Sequence, residues 1–202
     1  MKILSVNVAE IGDLFPVSES GPGTHRRVAS AIHKQPVGGA VSIDWMGLEG
    51  DDQAERRLHG GRDKAVYAYP IEHYDFWSKQ RSASRKDRTE AASLTYGALG
   101  ENLTIEGLLE TDVWIGDRLA IGSVILEVTE PRHPCFKLTV KMGFSQAAKA
   151  MIHSGFSGFY LRVIQTGALA AGDAIELIAG SRETTLQTLN ERRRIGRQPD
   201  LF

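Results

Sequence analysis

The chain has 202 residues, of which 42% are hydrophobic and 24% are charged, and its formal net charge is −1. This length suits one domain, or one domain with a small appendage, and it is long enough to bury a sizeable core. The near-zero charge gives no support to wholesale binding of nucleic acid or of a membrane. The single cysteine excludes an internal disulfide, and also a Cys-based zinc finger or an iron–sulfur cluster held by this chain alone.

The N-terminus, "MKILSVNVAEIGD", lacks the long apolar stretch of a signal peptide, and no segment approaches the length of a membrane span. The absence of disulfides agrees with a reducing compartment. The sequence therefore predicts a soluble, cytoplasmic protein.

Short strands dominate the first half of the chain. "KILSVNVAEI" is apolar and β-branched, which predicts a strand, and the Gly-, Pro- and Ser-rich residues 12–30 predict a loop. "KAVYAYP" predicts a strand that ends at Pro70, and Pro70 opens a predicted helix over "PIEHYDFWSKQR". Residues 81–95 are polar and predict an exposed connection.

Two similar stretches follow in the second half, "IGDRLAIG" at 115–122 and "AGDAIELI" at 171–178. In each, a Gly-Asp turn leads into an alternating strand, as at the edge of a small barrel or folded sheet. "GSVILEVTEP" and "GFYLRVIQTG" predict further strands, and "MGFSQAAKAMIHSG" predicts a helix that ends at Gly155. Helical segments are too few for a βαβ alternation, so the pattern predicts a mainly β, barrel-like domain.

Several familiar catalytic motifs are absent from the sequence. There is no GxxxxGK[ST], no GxGxxG and no HExxH, and the six histidines show no helical metal-ligand spacing. Nucleotide-phosphate loops of those kinds and a zinc hydrolase site are therefore unsupported.

Three loops combine glycine with positive charge or an amide: "GTHRRVASAIHKQPV" (23–37), "AERRLHGGRDKAV" (54–66) and "GALGENLTI" (97–105). Glycine allows backbone N–H groups to approach an anion closely, and Arg or Lys adds charge-assisted contacts. These loops are candidates for holding a small anionic ligand. The alternative is that they are solvated surface loops, balanced by neighbouring acidic residues.

The single cysteine, Cys135, lies in "EPRHPCFKL" (130–138), directly after Pro134, and Pro131 and Pro134 stiffen the chain that leads to it. A lone cysteine is more often a small buried hydrophobe than a reactive thiolate. Here basic neighbours would stabilise a thiolate, although Glu130 opposes this effect. Those basic neighbours are Arg132, His133 and Lys137. The residues alone leave open both a packing role and a role as a soft-metal ligand.

Together these stretches resemble the MOSC domain, named for the C-terminal domain of molybdenum-cofactor sulfurases, and specifically its stand-alone YiiM-type members. The matching pieces are "GLEGDDQAERRLHGGRDKAVYAYPIEHYDFW", "GALGENLTIEGL", "IGDRLAIGSVILEVTEPRHPCFKL" and "GFYLRVIQTGALAAGD". They occur in the family's order and extend from about residue 30 to residue 178.

The resemblance implies a MOSC-type β-barrel with a few peripheral helices over residues 1–179. It also implies a truncated or vestigial helical tail over 180–202, where YiiM-type chains tend to carry a small helical domain. A second departure is Arg62, which stands where the family usually has proline and leaves the shape of the Gly-Gly loop open. Asp51 and Asp117 are expected to be structural rather than proton-handling, because Gly-Asp turns explain Asp117.

The resemblance also implies a site. Cys135 occupies the position of the family cysteine that coordinates molybdenum in a pterin cofactor, which makes it both the metal ligand and the catalytic residue. A basic pocket is expected to hold the pterin. By motif match, the pocket residues are Lys34, Arg57, His59, Gly60, Lys64, Gly100, Asn102, Arg118 and Arg132.

The implied activity is that of a molybdenum-dependent oxidoreductase that reduces N-hydroxylated compounds, such as hydroxylaminopurines and amidoximes, by two electrons. One cysteine rules out a fused ferredoxin in this chain, so the electrons would come from a separate flavin or iron–sulfur reductase. The first alternative is a non-catalytic carrier of the molybdenum cofactor or of sulfur. The second is a β domain that binds other proteins. No nucleic-acid or membrane partner is expected, and the oligomeric state is open, with a homodimer as one candidate.

Overall fold

The computed structural model describes residues 1–15, 27–56, 60–84 and 93–196. Within these ranges the chain forms short strands, four α-helices and two 3-10 turns, Arg62–Lys64 and Ile71–His73. The strands are β1 (Lys2–Val8), β2 (Gly12–Asp13), β3 (Ala29–Ser30), β4 (Gln35–Val37), β5 (Val41–Asp44), β6 (Gly47–Leu48), β7 (Val66–Pro70), β8 (Leu103–Glu106), β9 (Arg118–Ile121), β10 (Val124–Pro131), β11 (Phe159–Gln165), β12 (Gly167–Leu169) and β13 (Glu176–Ile178). The helices are α1 (Tyr74–Ser84), α2 (Phe136–Met142), α3 (Ala147–Ser154) and α4 (Leu186–Gly196).

Eight strands form the main sheet, in the order β13-β9-β10-β11-β7-β8-β1-β4. Neighbouring strands are antiparallel except for β7 and β8, which are parallel. Smaller sheets are formed by β12-β5-β6 and by β2-β3. The architecture is mainly β with a few helices, as the sequence predicts.

The main sheet curls toward a barrel, and hydrogen bonds from β1 join the two ends of the curl. The second half of β1 pairs with β4 at one edge of the sheet. Its first half reaches the chain that leads into β13 at the other edge, because Lys2 bridges Ala174 and Ile3 N–H donates to Asp173 O at 2.9 Å. The barrel-like prediction is therefore confirmed.

Strand β7 separates two apolar cores, because successive side chains of a strand point to opposite faces. Val66 and Ala68 belong to the barrel core, together with residues from most other strands. Tyr67 and Tyr69 belong to a second, aromatic cluster that includes Trp77 and lies under the helices. The tyrosine face of β7 therefore lies between the barrel and the helical layer.

The predicted strands and helices agree largely with the structure. The predicted strand over "KAVYAYP" ends at Pro70, and the predicted helix after it begins as the 3-10 turn and continues as α1. Helix α3 begins at Ala147, later than predicted, and ends at Ser154, where Gly155 with its left-handed φ of 74° provides the expected C-cap. The two Gly-Asp turns each lead into a strand, and these strands, β9 and β13, pair with each other.

Asp117 explains why the first Gly-Asp turn is so well defined. Its carboxylate is fully buried and accepts the backbone N–H groups of Gly180 at 2.7 Å and Trp114 at 3.1 Å. Arg182 lies 3.5 Å from the same carboxylate. These contacts support the structural role expected for Asp117.

The structure differs from the sequence interpretation around residues 12–30 and after Cys135. The predicted loop contains the short strand pair β2-β3, while residues 16–26 lie outside the described ranges. A seven-residue helix, α2, begins directly after Cys135 and was not predicted. Its sequence, "FKLTVKM", contains two β-branched residues and has only two turns, so its periodicity is too short to detect.

The C-terminal segment forms the one short helix that its composition allows, α4, and residues 197–202 lie outside the described ranges. Leu186 at the start of α4 is fully buried, and its N–H donates to Val113 O at 3.1 Å. The helix is therefore packed against the barrel, while a domain boundary at residues 179 and 180 stays a prediction.

No helix in the described part of the chain is long and apolar enough to cross a membrane.

Candidate cofactor cleft

A cleft opens between the tyrosine face of β7, the loop before β8, and the segment that joins β10 to α2. Six of the residues predicted for the site line this cleft: Lys34, Lys64, Gly100, Asn102, Arg132 and Cys135. The first and the last of these residues are 101 positions apart in the sequence, and the curl of the sheet brings them together.

Cys135 lies at the N-terminus of α2, four positions after Pro131, the last residue of β10. Its backbone is extended, with φ −130° and ψ 177°, and its side chain does not cap the helix. The residue is half-buried and its thiol is not in a disulfide. This position fits an accessible thiol at the cleft rather than a residue sealed in an apolar core.

Arg132 provides a fixed positive charge beside Cys135. It is buried, its Nη1 donates to Leu99 O, and its guanidinium carbon lies 4.7 Å from the Tyr67 ring centroid. It is also close enough to Cys135 for the two charges to interact. A guanidinium stays protonated at any working pH, so Arg132 favours the thiolate form of Cys135.

Lys34 is held in the cleft by an ion pair with Asp51, and both side chains are less than a tenth exposed. Asp51 also accepts the Ala9 N–H at 2.9 Å and the Asn102 Nδ2 at 2.9 Å. Asn102 in turn accepts the Tyr67 N–H at 3.1 Å through Oδ1. The amide of Asn102 therefore ties the cleft walls together, and Asp51 has the structural role expected of it.

Burial lowers the pKa of Lys34, the charge and hydrogen bond of Asp51 oppose this, and the charge of Arg132 adds to the lowering. The cleft should therefore lose one positive charge as the pH rises toward 10.5, the ordinary value for a lysine. We expect its affinity for inorganic pyrophosphate to fall about threefold to tenfold in this range. In Lys34→Arg this step should disappear, because the guanidinium stays charged and can pair with Asp51.

Calorimetric titrations with pyrophosphate across this pH range measure the step. Lys149→Arg, at an exposed position on α3, is the matched control and should keep it. A step that persists unchanged in Lys34→Arg would show that another group titrates.

Two glycines let the loop before β8 lie directly against the segment that carries Lys34. A Cβ on Gly97, which has φ +80°, would stand 2.8 Å from Lys34 O. A Cβ on Gly100, which has φ +83°, would stand 2.7 Å from a side-chain carbon of Ile32. No other residue fits these positions without displacing the lysine segment.

The buried carboxylate of Glu101 holds this loop in place through hydrogen bonds. The sequence interpretation does not include Glu101 in the site. It is fully buried and accepts the hydroxyl of Tyr74, the N–H groups of Gly97 at 2.9 Å and Leu99 at 3.0 Å, and the hydroxyl of Thr104 at 3.0 Å. Burial raises the pKa of Glu101, and these hydrogen bonds partly oppose the rise. Because Leu99 O accepts Arg132, Glu101 indirectly positions the cleft arginine.

The remaining cleft lysines are close to acidic partners. Lys64 Nζ lies 3.3 Å from Glu130 Oε1 and 5.7 Å from the Tyr160 ring centroid. Lys137 Nζ lies 3.6 Å from Glu55. Among the described residues, four basic side chains line the cleft and three acidic ones offset them. They are Lys34, Lys64, Arg132 and Lys137 against Asp51, Asp52 and Glu55.

Arg118 is not brought to the cleft, contrary to the prediction. It is exposed on β9, and its Nε lies 3.1 Å from Glu127, its cross-strand neighbour on β10. The buried Leu119 and Ile121 point into the barrel, so the strand alternation directs Arg118 outward.

The Gly-Gly loop contributes less than predicted within the described residues. Gly60 does not line the cleft but packs on Gln53, which does. Arg57 and His59 lie outside the described ranges. Arg62 is exposed, with its guanidinium carbon 5.8 Å from the Trp45 ring centroid, so it is not directed into the cleft.

The cleft residues that the sequence interpretation missed include Tyr67 and Tyr160, which pack together with ring centroids 5.3 Å apart. Burial raises the pKa of each phenol, and the charge of Arg132 opposes the rise. Both rings therefore stay neutral and form an aromatic wall beside the thiol. The alternation in "VYAYP" is the only sequence signal for the orientation of Tyr67.

The described residues contain no group of three or more His, Cys, Asp or Glu side chains that could hold a metal ion. Cys135 can therefore supply one thiolate ligand, and a metal bound there needs a cofactor that brings the other ligands. The donor set fits such a group, because the same cleft offers basic side chains for its anionic portions.

Fold and cleft together define a class of protein: a curled β-barrel with a single accessible thiol beside cationic side chains, suited to an anionic, metal-bearing cofactor. The family model described as "MOSC domain" matches residues 55–176, more than half of the chain. The chain belongs to the MOSC domain family, and the resemblance inferred from its motifs is confirmed.

Relatives of known sequence agree with this assignment. The uncharacterized protein YflK of Bacillus subtilis is 37% identical over 82% of this chain and 71% of its own length. The protein YiiM of Escherichia coli is 37% identical over 78% of this chain and 68% of its own length. A Gibberella moniliformis protein named "Reductase" is 38% identical over 75% of this chain, which spans only 26% of that protein.

Solved structures give the same result. The crystal structure of YiiM from Geobacillus stearothermophilus superposes with a TM-score of 0.73 and 31% identity, covering 98% of this chain and 86% of that one. The crystal structure of YiiM from Escherichia coli superposes with a TM-score of 0.67 and 26% identity, covering 94% and 76%. The MOSC-type fold predicted from the sequence is thus confirmed.

Proposed function

We propose that this chain binds a molybdenum cofactor through Cys135 and reduces N-hydroxylated compounds with electrons from a separate reductase. The observation that carries the proposal is the position of Cys135, half-buried and in one cleft with Lys34, Lys64 and Arg132. A soft thiolate suits a molybdenum-type centre, and the cations suit the anionic groups of a pterin. Family membership supports the cofactor, and the fungal relative named "Reductase" supports an oxidoreductase.

The chain's own residues would bind and orient the ligand, while a bound cofactor would supply the two-electron redox chemistry. Cys135 would donate one thiolate ligand. Lys64 and Arg132 would hold anionic groups, and the neutral wall of Tyr67 and Tyr160 would limit water access from one side.

The balanced reaction takes up two electrons and two protons, breaks the N–O bond, and yields an amine and water. Lys34 is the cleft group best suited to deliver a proton, from Nζ, because it is buried with a lowered pKa. Asp51 would hold that nitrogen in place.

A cytoplasmic location and an electron-donating partner are part of this proposal. With one cysteine, the chain cannot hold an iron–sulfur cluster by itself, so a separate flavin or iron–sulfur reductase would supply the electrons. A carrier of cofactor or sulfur would need the same accessible thiol and is the outcome to be distinguished.

Protein produced in a host that makes molybdenum cofactor should contain molybdenum and pterin in equal amounts. It should also reduce 6-hydroxylaminopurine when chemically reduced viologen supplies the electrons. Protein from a host deficient in cofactor synthesis is the control and should be inactive. Molybdenum and pterin without turnover would identify a carrier, and the absence of both would contradict both functions.

A further inference from the structure

The C-terminal helix α4 contacts both chain segments that flank the cleft. Asn190 Nδ2 donates to Gly155 O at 3.1 Å and to Ser157 Oγ at 3.0 Å. The carbonyl of Ser157 accepts the hydroxyl of the cleft residue Tyr67 at 2.8 Å. Asn190 of α4 therefore binds the same segment, 155–157, that accepts the hydroxyl of Tyr67.

Arg193, one turn further along α4, reaches the segment that carries Arg132 and Cys135. Its Nη1 donates to the carbonyl of Pro131 at 2.8 Å, and its Nη2 lies 3.9 Å from Glu130 Oε2. The other oxygen of Glu130 lies 3.3 Å from Lys64 Nζ, a cleft cation. Glu130 therefore stands between a helix arginine outside the cleft and a lysine inside it.

Glu130 is electrostatically coupled to the cleft. Burial raises the pKa of Tyr160, and the charges of Cys135 and Glu130 raise it further, which places both acidic groups near the same phenol. An uncompensated negative charge on Glu130 would hold Lys64 more strongly and oppose an anion in the cleft. Arg193 compensates that charge from the outer side.

We propose that Arg193 is a positioning residue for the cleft: by neutralising Glu130 and holding the Pro131 carbonyl, it leaves Lys64 and Arg132 available to an anionic ligand. The C-terminal segment is then a functional part of the site rather than a vestige. The inference rests on the proposed function only in treating the cleft as an anion site, and its test needs no cofactor.

The single cysteine makes the test direct, because any thiol reaction of the chain reports on Cys135. Iodoacetate is an anion and iodoacetamide is its neutral counterpart, so the ratio of their alkylation rates measures the potential at the thiol. The ratio is insensitive to changes in thiolate fraction or in access, since these affect both reagents. In Arg193→Ala the ratio should fall about twofold to fourfold.

Three further variants separate charge from packing. Glu130→Gln alone should raise the ratio, and the double variant Arg193→Ala with Glu130→Gln should restore it to at least the parent value. Arg192→Ala, at the exposed neighbouring position on α4, is the matched control and should leave the ratio unchanged.

Equal changes in both rates for Arg193→Ala, or no restoration in the double variant, would overturn the proposal. A fall of the ratio in Arg192→Ala as large as in Arg193→Ala would also overturn it, because the effect would then be general. If the protein binds no molybdenum but the ratios behave as expected, the proposed function fails and the role of Arg193 stands.

Discussion

Replacing Cys135 with serine is expected to abolish retention of molybdenum while leaving the protein folded. The oxygen of serine is a much poorer ligand for a soft metal than a thiolate, and the described residues contain no group of three or more His, Cys, Asp or Glu side chains that could hold the metal instead. Changing groups outside the ligand shell typically costs 10- to 100-fold in metal affinity, so loss of the ligand itself should cost on the order of 100-fold or more. Metal analysis of protein from a cofactor-producing host measures this directly.

The same substitution should not weaken the fold. Cys135 is the N-cap residue of α2 and makes no capping hydrogen bond, whereas serine is among the best N-cap residues. We therefore expect the free energy of unfolding to change by less than about 1 kcal/mol, or to rise slightly. Undiminished molybdenum in Cys135→Ser would contradict the assigned ligand, and a strongly destabilised variant would contradict the accessible position of the thiol.

Much of the fold is predictable from the sequence because turns, and the residues that begin or end helices, follow local rules. The Gly-Asp turns, the Pro70 helix start and the Gly155 helix end each depend on local rules that a few residues satisfy. Helix α2 could not be predicted, because seven residues show too little periodicity. The pairing of β9 with β13 could not be predicted either, since local sequence does not specify which strands are neighbours.

The candidate site was predictable where residue chemistry is unusual and unpredictable where tertiary packing decides. The lone cysteine and the glycine loop around Gly100 stand out in the sequence. Arg118 could have been excluded from the site, because the alternation of the predicted strand places it on the face opposite to Leu119 and Ile121. Arg193 and Glu130 are more than sixty residues apart, so no sequence pattern indicates their contact.

The role of Glu101 could not be predicted from the sequence either, because a fully buried carboxylate is rare and glutamate is usually found on the surface. Replacing Glu101 with alanine is expected to lower the free energy of unfolding by about 4 kcal/mol. The change leaves the N–H groups of Gly97 and Leu99 buried without their acceptor and opens a cavity below the loop. Urea denaturation measures the loss, and Glu106→Ala, in an exposed ion pair with Lys2, should cost less than about 1 kcal/mol.

Glu101→Gln provides the pH test, because glutamine has the shape of the neutral carboxyl and does not titrate. Burial raises the pKa of Glu101 in the folded protein above its ordinary value of 4.5, so the folded state keeps a proton that the unfolded chain releases. The parent should therefore be most stable relative to Glu101→Gln below pH 4.5 and should lose that advantage as the pH rises through the raised pKa. Paired denaturation curves over this range measure the difference. A difference that grows with pH would show that the four hydrogen bonds to Glu101 outweigh its burial, so that the loop that positions Arg132 rests on an ionised carboxylate.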